Sequence, residues 1–331
     1  MLVLLFQLET GRRYRTGSGP QYAGSRDAGS GWLADRVRVG WFRLFHLPYR
    51  KIGFGMMLPQ IVHARSRWPF SLWVFGGMSC AMIFAFLVTT ALWASDIREL
   101  DGVSVWAKPL KFELALAIHA GTLAFVVSRL RPSLQAGRFM QGIAFAFLVA
   151  CVIEMGWIIF QASQGQHSHF NDSTALHRAM FSVMAIAAVI ITGAAAAVAF
   201  QVSRDLDFAA GSTVKTGIVL GLFGGTVLTI VTAFIIGGRG SPYVGELPPH
   251  AARMMFTGWS LTGGDLRVAH FLATHMMQAV PIAAALAVRA RIGFFAPSFV
   301  LGFAALWAVW VLVEFSLALS GQPAIFITLG F

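Results

Sequence analysis

Long apolar runs separated by short polar segments dominate the chain after residue 66. Each run holds about 20 to 26 residues, enough to cross a hydrocarbon core of about 30 Å when each residue adds about 1.5 Å along a helix. The runs lie at residues 70–95, 107–129, 139–162, 177–201, 214–237, 267–289 and 295–319. This pattern predicts an all-α fold, a polytopic transmembrane helix bundle of about seven spans within residues 67–331.

Residues 1–66 follow a different pattern, in which Arg, Gly and Ser are frequent and no helical period persists. One interpretation is a disordered segment. Another places an interfacial amphipathic helix at residues 37–62, with Trp41 and Phe42 in anionic lipid. A start at Met56 or Met57, with residues 1–55 untranslated, is a further alternative. The opening nine residues are too short for a span and lack a cleavage site, so we predict no secretory signal.

The positive charges predict how the bundle is oriented. Of the 25 Lys and Arg residues, 11 precede residue 70. Counted over alternate loops, 18 lie on the side of the N-terminal segment and seven on the other. The positive-inside rule then predicts a cytoplasmic N-terminus and an external C-terminus. The same distribution accounts for the net charge of +11 without a nucleic-acid partner.

The composition excludes an ordinary soluble protein and predicts the lipid bilayer as a partner. The chain is 57% hydrophobic and 12% charged, against about 25% charged residues in a soluble domain. Cys80 and Cys151 lie inside apolar runs and are interpreted as small packing residues. Gly217, Gly221 and Gly225 recur every four residues, which predicts a stripe where another helix approaches closely. No oligomeric state follows from these features.

Polar side chains inside the spans are the candidates for chemistry. A charged residue in hydrocarbon costs about 2.5 kcal/mol or more, so each needs a partner or a purpose. Three segments supply them, at residues 105–121, 154–171 and 258–281, all at the predicted outer side. The candidate ligand-binding residues are Lys108, Lys111, Glu113, His119, Glu154, Gln161, Asp265, Arg267, His270, His275 and Gln278.

Helical spacing predicts which of these side chains share a face. Lys108 and His119 lie about three turns apart on one side of the second span, whereas Glu113 points toward another helix. Glu154 and Gln161 share a face of the third span. Two interpretations of Glu154 stay open: an interhelical salt bridge to Lys108, Lys111 or Arg267, and a proton acceptor or ligand. For the two lysines the alternative is snorkelling at the interface.

The histidines raise the question of a metal or haem. His167 and His169 form an HxH pair, whose side chains project to one side of an extended segment. His119 and His275 lie at similar depth on different spans and could ligate a b-type haem, or could be satisfied by hydrogen bonds in the bundle. The candidate ligands of a divalent metal are His119, His169, His270 and His275. The catalytic residue is unknown, with Glu154 and Asp265 as candidates. Asp265 is alternatively an N-cap of the sixth span.

Three sequence segments carry a resemblance to a family. WAKPLKF, SHFN and GDLRVAHFLATHMMQAVP resemble a family of uncharacterised bacterial multi-pass membrane proteins, over about residues 70–320. The resemblance implies a membrane fold and implies no activity.

Three hypotheses of function follow. The first is an integral inner-membrane protein with an outward-facing, His-rich polar pocket that binds a metal, haem or quinone-like ligand for redox or proton transfer. The second is a transporter or channel for a small polar solute, with Lys108, Glu154 and Arg267 at its outer mouth. The scarcity of charges in the inner halves of the spans argues against it. The third is a metal-dependent membrane hydrolase with Glu154 or Asp265 as the base. Whether the protein is an enzyme stays open.

Overall fold

Seven long helices make up nearly all of the structure, a computed structural model that describes residues 68–245, 252–254 and 257–328. Each helix is long and apolar enough to cross a membrane. They are α1 (Phe70–Ser95), α2 (Ala107–Ser128), α3 (Arg138–Ser163), α4 (Ala175–Arg204), α5 (Gly211–Arg239), α6 (Leu266–Arg289) and α7 (Ala296–Leu319). The predicted all-α bundle is confirmed, and the chain is a multi-pass integral membrane protein. The predictions for residues 1–66 lie outside the described residues.

Short elements join the helices. Antiparallel strands β1 (Glu99–Leu100) and β2 (Val103–Ser104) connect α1 to α2. Strands β3 (Tyr243–Val244) and β4 (Gly264–Asp265) pair between α5 and α6. Short helical turns cover Pro132–Gln135, Gly293–Phe295 and Ile325–Thr328. We call the side where α1, α3, α5 and α7 end, and where both strand pairs lie, the polar end.

The helix boundaries agree with the apolar runs to within a few residues, and the differences have a local cause. Helices α4 and α5 extend beyond their runs at both ends, because backbone hydrogen bonds continue through polar residues that lie outside the hydrocarbon. Thr174 caps α4, its hydroxyl accepting the His177 amide at 3.2 Å. Asp265 caps α6, its Oδ1 accepting the Arg267 amide at 3.1 Å. The N-cap interpretation of Asp265 is therefore confirmed.

The glycine stripe of α5 packs directly against α6. An added Cβ would meet α6 atoms at 2.6 Å from Gly221 and 2.7 Å from Gly225, and closer still at Gly217. At Gly221 the neighbour is the ring of Pro281, which lies inside α6. Any side chain larger than hydrogen would push the two helices apart, so the predicted packing role is confirmed.

The apolar core lies along α2, α3, α4 and α5 and includes the fully buried side chains of Leu123, Phe147 and Met184. Cys151 is buried in it, in agreement with a packing role, whereas Cys80 lies on the surface of α1. Helices α1 and α7 are the least buried of the seven. The polar residues described below are therefore positioned mainly by α2, α3, α4 and α6.

Candidate functional site

Three polar side chains form a continuous chain at the polar end. The Lys108 Nζ atom of α2 lies 2.9 Å from His169 Nδ1. On the other side of the ring, His169 Nε2 lies 3.5 Å from Oε1 of Glu154 in α3. An ammonium group can only donate, so Nδ1 accepts and the imidazole carries its proton on Nε2, toward Glu154. Helices α2 and α3 are thus linked through a loop histidine, and we call this arrangement the Lys108–His169–Glu154 chain.

The buried end of this chain has an unsatisfied atom. Glu154 is 3% exposed, and its Oε2 is buried without a hydrogen-bond partner. The His169 side chain, 21% exposed, is open to solvent. The rings of Phe112 and Phe181 lie 6.1 Å and 6.3 Å from the imidazole. The chain therefore runs from the partly exposed imidazole, beside aromatic rings, to a buried carboxyl oxygen that has no hydrogen-bond partner among the described residues.

The environment of His169 sets its protonation state. Burial is the largest influence and lowers the pKa of His169 below its ordinary value, and the charge of Lys108 lowers it further, although the contact with Glu154 partly opposes both. The ring is therefore neutral at pH 7. Protonation would place a second donor against the ammonium of Lys108, so acidification breaks this contact.

The loop sequence SHFN holds His169 in place. The Ser168 carbonyl accepts the indole N–H of Trp157 at 3.1 Å, which attaches the loop to α3. Phe170 has a left-handed backbone, with φ of 56°, a conformation uncommon outside glycine. The Asn171 amide donates to the His167 carbonyl at 3.2 Å. This tight turn directs the imidazole inward, while His167 lies 3.4 Å from Asp101 at the surface.

The corner between α1 and α2 positions Lys108. The Asp96 carboxylate accepts hydrogen bonds from the Arg98 guanidinium, at 2.6 Å, and from the indole of Trp106, at 2.8 Å. Arg98 first, and then Trp106, lower the pKa of Asp96 well below its ordinary value. Trp106 is the residue before α2 begins. The corner therefore fixes the first turn of that helix, which carries Lys108.

Arg267 and Asp265 form a second polar group at the start of α6. The guanidinium donates to both Asp265 oxygens, at 2.8 Å and 2.5 Å, and to the Tyr243 hydroxyl at 2.8 Å. The Ser260 amide also donates to Asp265, at 3.0 Å. Because both carboxylate oxygens are occupied by the protein, this geometry favours a structural role for Asp265 over catalysis.

Lys111 belongs to this second group and not to the first. Its Nζ donates to the Thr257 carbonyl at 3.0 Å, and its charge lies near Arg267 and Asp265. Lys108 and Lys111 are only three residues apart on α2, yet they reach different partners. The second span therefore lies between two polar groups.

A further polar layer lies deeper, between α2, α4 and α6. His119 Nε2 donates to the Ile191 carbonyl at 3.1 Å, and the ring is close enough to His275 for electrostatic interaction. The Gln278 amide donates to the Thr122 hydroxyl at 3.4 Å, and its side chain lies within hydrogen-bonding reach of His275. Thr122 lies about 22 Å along α2 from Ala107. Uncharged polar side chains therefore continue into the half of the bundle away from the polar end. A count of charged residues does not reveal them.

The remaining candidates point elsewhere. Glu113, which is completely buried, accepts the Thr89 hydroxyl of α1 at 2.7 Å, as expected for a side chain directed away from Lys108. His270 Nδ1 lies 3.0 Å from the Thr232 hydroxyl of α5. Gln161 is 1% exposed, and its Nε2 is buried without a partner. The eleven candidates therefore divide among several sites and do not form one pocket.

The predicted metal ligands do not converge. His169 contacts Lys108, His119 donates from Nε2 to a backbone carbonyl, and His270 contacts α5. Within residues 68–245, 252–254 and 257–328, no group of three or more His, Cys, Asp or Glu side chains could hold a metal ion. The structure gives no support to the shared metal centre of His119, His169, His270 and His275. If His119 Nε2 ligated a haem between His119 and His275, its hydrogen bond to the Ile191 carbonyl would have to break.

Sequence reasoning missed two buried acids. Glu314 of α7 is 1% exposed and accepts the Trp310 indole at 3.1 Å and the Ile325 amide at 3.2 Å. Asp205 is completely buried at the opposite end and accepts the Arg131 amide at 2.8 Å. Glu314 could have been found as an acid inside an apolar run. Asp205 could not, because its charged neighbours resemble a solvated loop.

Comparisons with known proteins do not assign this geometry. No family model, curated protein or solved structure matches the chain. The function must therefore be inferred from the arrangement of the side chains.

Proposed function

We propose that the Lys108–His169–Glu154 chain binds a small quinone-like ligand in its hydroxyl-bearing form and transfers protons to and from it. The observation that carries this proposal is the unpartnered, buried Oε2 of Glu154. A buried acceptor without a donor costs about 1–3 kcal/mol. A ligand hydroxyl that donates to this oxygen removes that cost, and the rings of Phe112 and Phe181 suit a flat aromatic ligand.

The imidazole can carry protons between solvent and Glu154. Its Nδ1 accepts from Lys108 while its Nε2–H faces Glu154. A neutral histidine between a donor and an acceptor can take a proton at one nitrogen and release one from the other. Lys108 regains its proton from water. This route requires no metal, and the proposal includes no electron transfer.

Orientation and location belong to the proposal as well. The 11 Lys and Arg residues that precede α1 in the sequence support an external polar end under the positive-inside rule. The resemblance of WAKPLKF and SHFN to bacterial membrane proteins supports the bacterial inner membrane. The orientation is tested in intact cells by comparing the accessibility of the new thiol in His167→Cys with that in Asp207→Cys.

Binding of duroquinol to the protein in lipid nanodiscs tests the site. We expect Glu154→Gln to weaken binding about tenfold or more, because a buried polar group left without its hydrogen-bond partner costs about 1–3 kcal/mol. His167→Gln, outside the chain but in the same loop, is the matched control and retains wild-type affinity. Equal affinity of wild type and Glu154→Gln, or no binding by wild type, would reject the proposal.

A transporter for a small polar solute is the second candidate, favoured by the deeper layer of His119, Thr122 and Gln278. Gln278 is a buried polar side chain at the middle of α6. Proton flux into proteoliposomes, followed with an internal pH dye, should fall in both Gln278→Leu and Glu154→Gln. Flux equal to that of protein-free vesicles counts against transport.

A further inference from the structure

A second carboxyl group with an unsatisfied oxygen lies between α1 and α2, outside the Lys108–His169–Glu154 chain. Glu113 has no exposed surface and Thr89 is 4% exposed. The Thr89 hydroxyl donates to Glu113 Oε1 at 2.7 Å. The other oxygen, Oε2, is buried without a hydrogen-bond partner. Each oxygen of this carboxyl group therefore has a different environment.

No cation compensates Glu113. None of the ion pairs among the described residues involves it. Lys111, on the same helix, donates to the Thr257 carbonyl. The facing α1 carries no acid or base other than the exposed thiol of Cys80, and on α3 Glu154 pairs with His169. An ionised Glu113 would be an uncompensated charge in hydrocarbon, which costs about 2.5–3.5 kcal/mol on insertion scales.

We propose that Glu113 and Thr89 form a proton-binding site, in which Oε2 carries the proton and Oε1 is the carbonyl oxygen that accepts from Thr89. The proton forms an O–H bond and neutralises the group, so the ligand of this site is H⁺. Glu113 lies about 9 Å along α2 from Ala107. It is therefore near enough to the polar end for its proton to exchange with water when the α1–α2 interface opens.

Glu314 shows what a structural buried carboxyl group looks like in the same protein. Its two oxygens accept two different N–H donors, from Trp310 and Ile325. A proton on either oxygen would weaken that oxygen as an acceptor of its present hydrogen bond. At Glu113 the single donor leaves one oxygen free to hold a proton, so the two sites differ in their capacity to bind H⁺.

Infrared difference spectra of the protein in nanodiscs test this assignment. The wild-type minus Glu113→Gln spectrum should contain the C=O stretch of a protonated carboxyl group, and exchange into D₂O should shift that band. Thr89→Val should move it to higher frequency, because the carbonyl loses its hydrogen bond, whereas Thr89→Ser keeps the hydroxyl and the wild-type frequency. These two variants also test the proposal if Glu113→Gln does not fold.

A difference spectrum that contains only carboxylate bands would overturn the assignment. A band that fails to shift in D₂O would overturn it too, because the proton would not be exchangeable. Glu154→Gln is the control and should retain the band. If the wild-type protein does not bind duroquinol but shows this band, the Glu154 proposal is wrong and the Glu113 assignment stands.

Discussion

Glu154 in α3 and Glu314 in α7 are both buried within transmembrane helices, 3% and 1% exposed, yet their carboxyl oxygens have different hydrogen-bond partners. Around Glu314, donors on the same helix and on the following turn satisfy both oxygens. Around Glu154, a half-buried loop histidine lies 3.5 Å from one oxygen, and no described residue hydrogen-bonds to the other. The two acids are equally buried and differ in how many of their carboxyl oxygens the protein satisfies. On that difference we base the proposal that Glu154 binds a ligand and Glu314 does not.

The residues around Glu314 and Glu154 also belong to different kinds of structure. Near Glu314, the Trp307 indole donates to the Leu272 carbonyl at 2.8 Å, which joins α7 to α6. At the Glu154 side, the partner belongs to a loop with a left-handed residue, Phe170. A loop can move a donor toward or away from its acceptor more readily than a transmembrane helix can. The proposed binding at Glu154 uses this property of the loop.

Glu314→Ala should have the largest effect on stability. It removes two hydrogen bonds, each contributing about 1.5 kcal/mol or more, so we expect a loss of about 3 kcal/mol and a clear decrease in Tm in detergent. Glu99→Ala, at an exposed position, is the control and should leave Tm unchanged. Duroquinol affinity should not change in either variant. An unaltered Tm for Glu314→Ala would contradict a structural role for Glu314.

Glu154→Gln should separate stability from binding. Because no described residue hydrogen-bonds to Oε2 of Glu154, the amide should change stability by less than about 1 kcal/mol, while duroquinol binding falls. Thermal unfolding and binding measured on the same nanodisc sample check this prediction. A decrease in Tm as large as that of Glu314→Ala would show that both acids are structural.

The pH dependence of stability should report His169. Its pKa is lowered in the folded protein, chiefly by burial, so the unfolded chain binds the proton more readily. Stability is therefore full above the ordinary histidine pKa of about 6.5 and declines as pH falls through and below that value. Tm measured from about pH 8 to about pH 5 should decline less in His169→Gln than in wild type. His167→Gln should retain the wild-type slope, and equal slopes for all three proteins would contradict the assignment.

Asp96→Asn should have the smallest effect. Arg98 lowers the pKa of Asp96, so its contribution is present above the ordinary Asp value of about 3.9 and is lost as pH falls toward the folded value. The Arg98 side chain is 49% exposed, so salt screens the pair. We expect a slight decrease in Tm at neutral pH that disappears in high salt. A decrease that persists in salt would mean that the α1–α2 corner stabilises the bundle by packing instead.

Part of the site was predictable from spacing. The separation of Glu113 from Lys108 and the N-cap role of Asp265 are both confirmed. The predicted salt bridge of Glu154 to Lys108, Lys111 or Arg267 is not found among the described residues, because His169 lies between Glu154 and Lys108 while Lys111 and Arg267 have other partners. A loop residue has no fixed angular position, so helical periodicity could not place this imidazole. The external location of the polar end stays a prediction.

Hydrophobic periodicity and run length determined the seven spans and the α5 glycine stripe, because each depends on residues close together in the sequence. Only the tertiary structure decided which polar groups meet. Those contacts depend on how each helix is rotated against its neighbours, and close packing such as that of Gly221 on Pro281 sets this rotation across distant segments. For that reason Glu154 and Glu314 look alike in sequence, and the partners of their oxygens become visible only in the folded bundle.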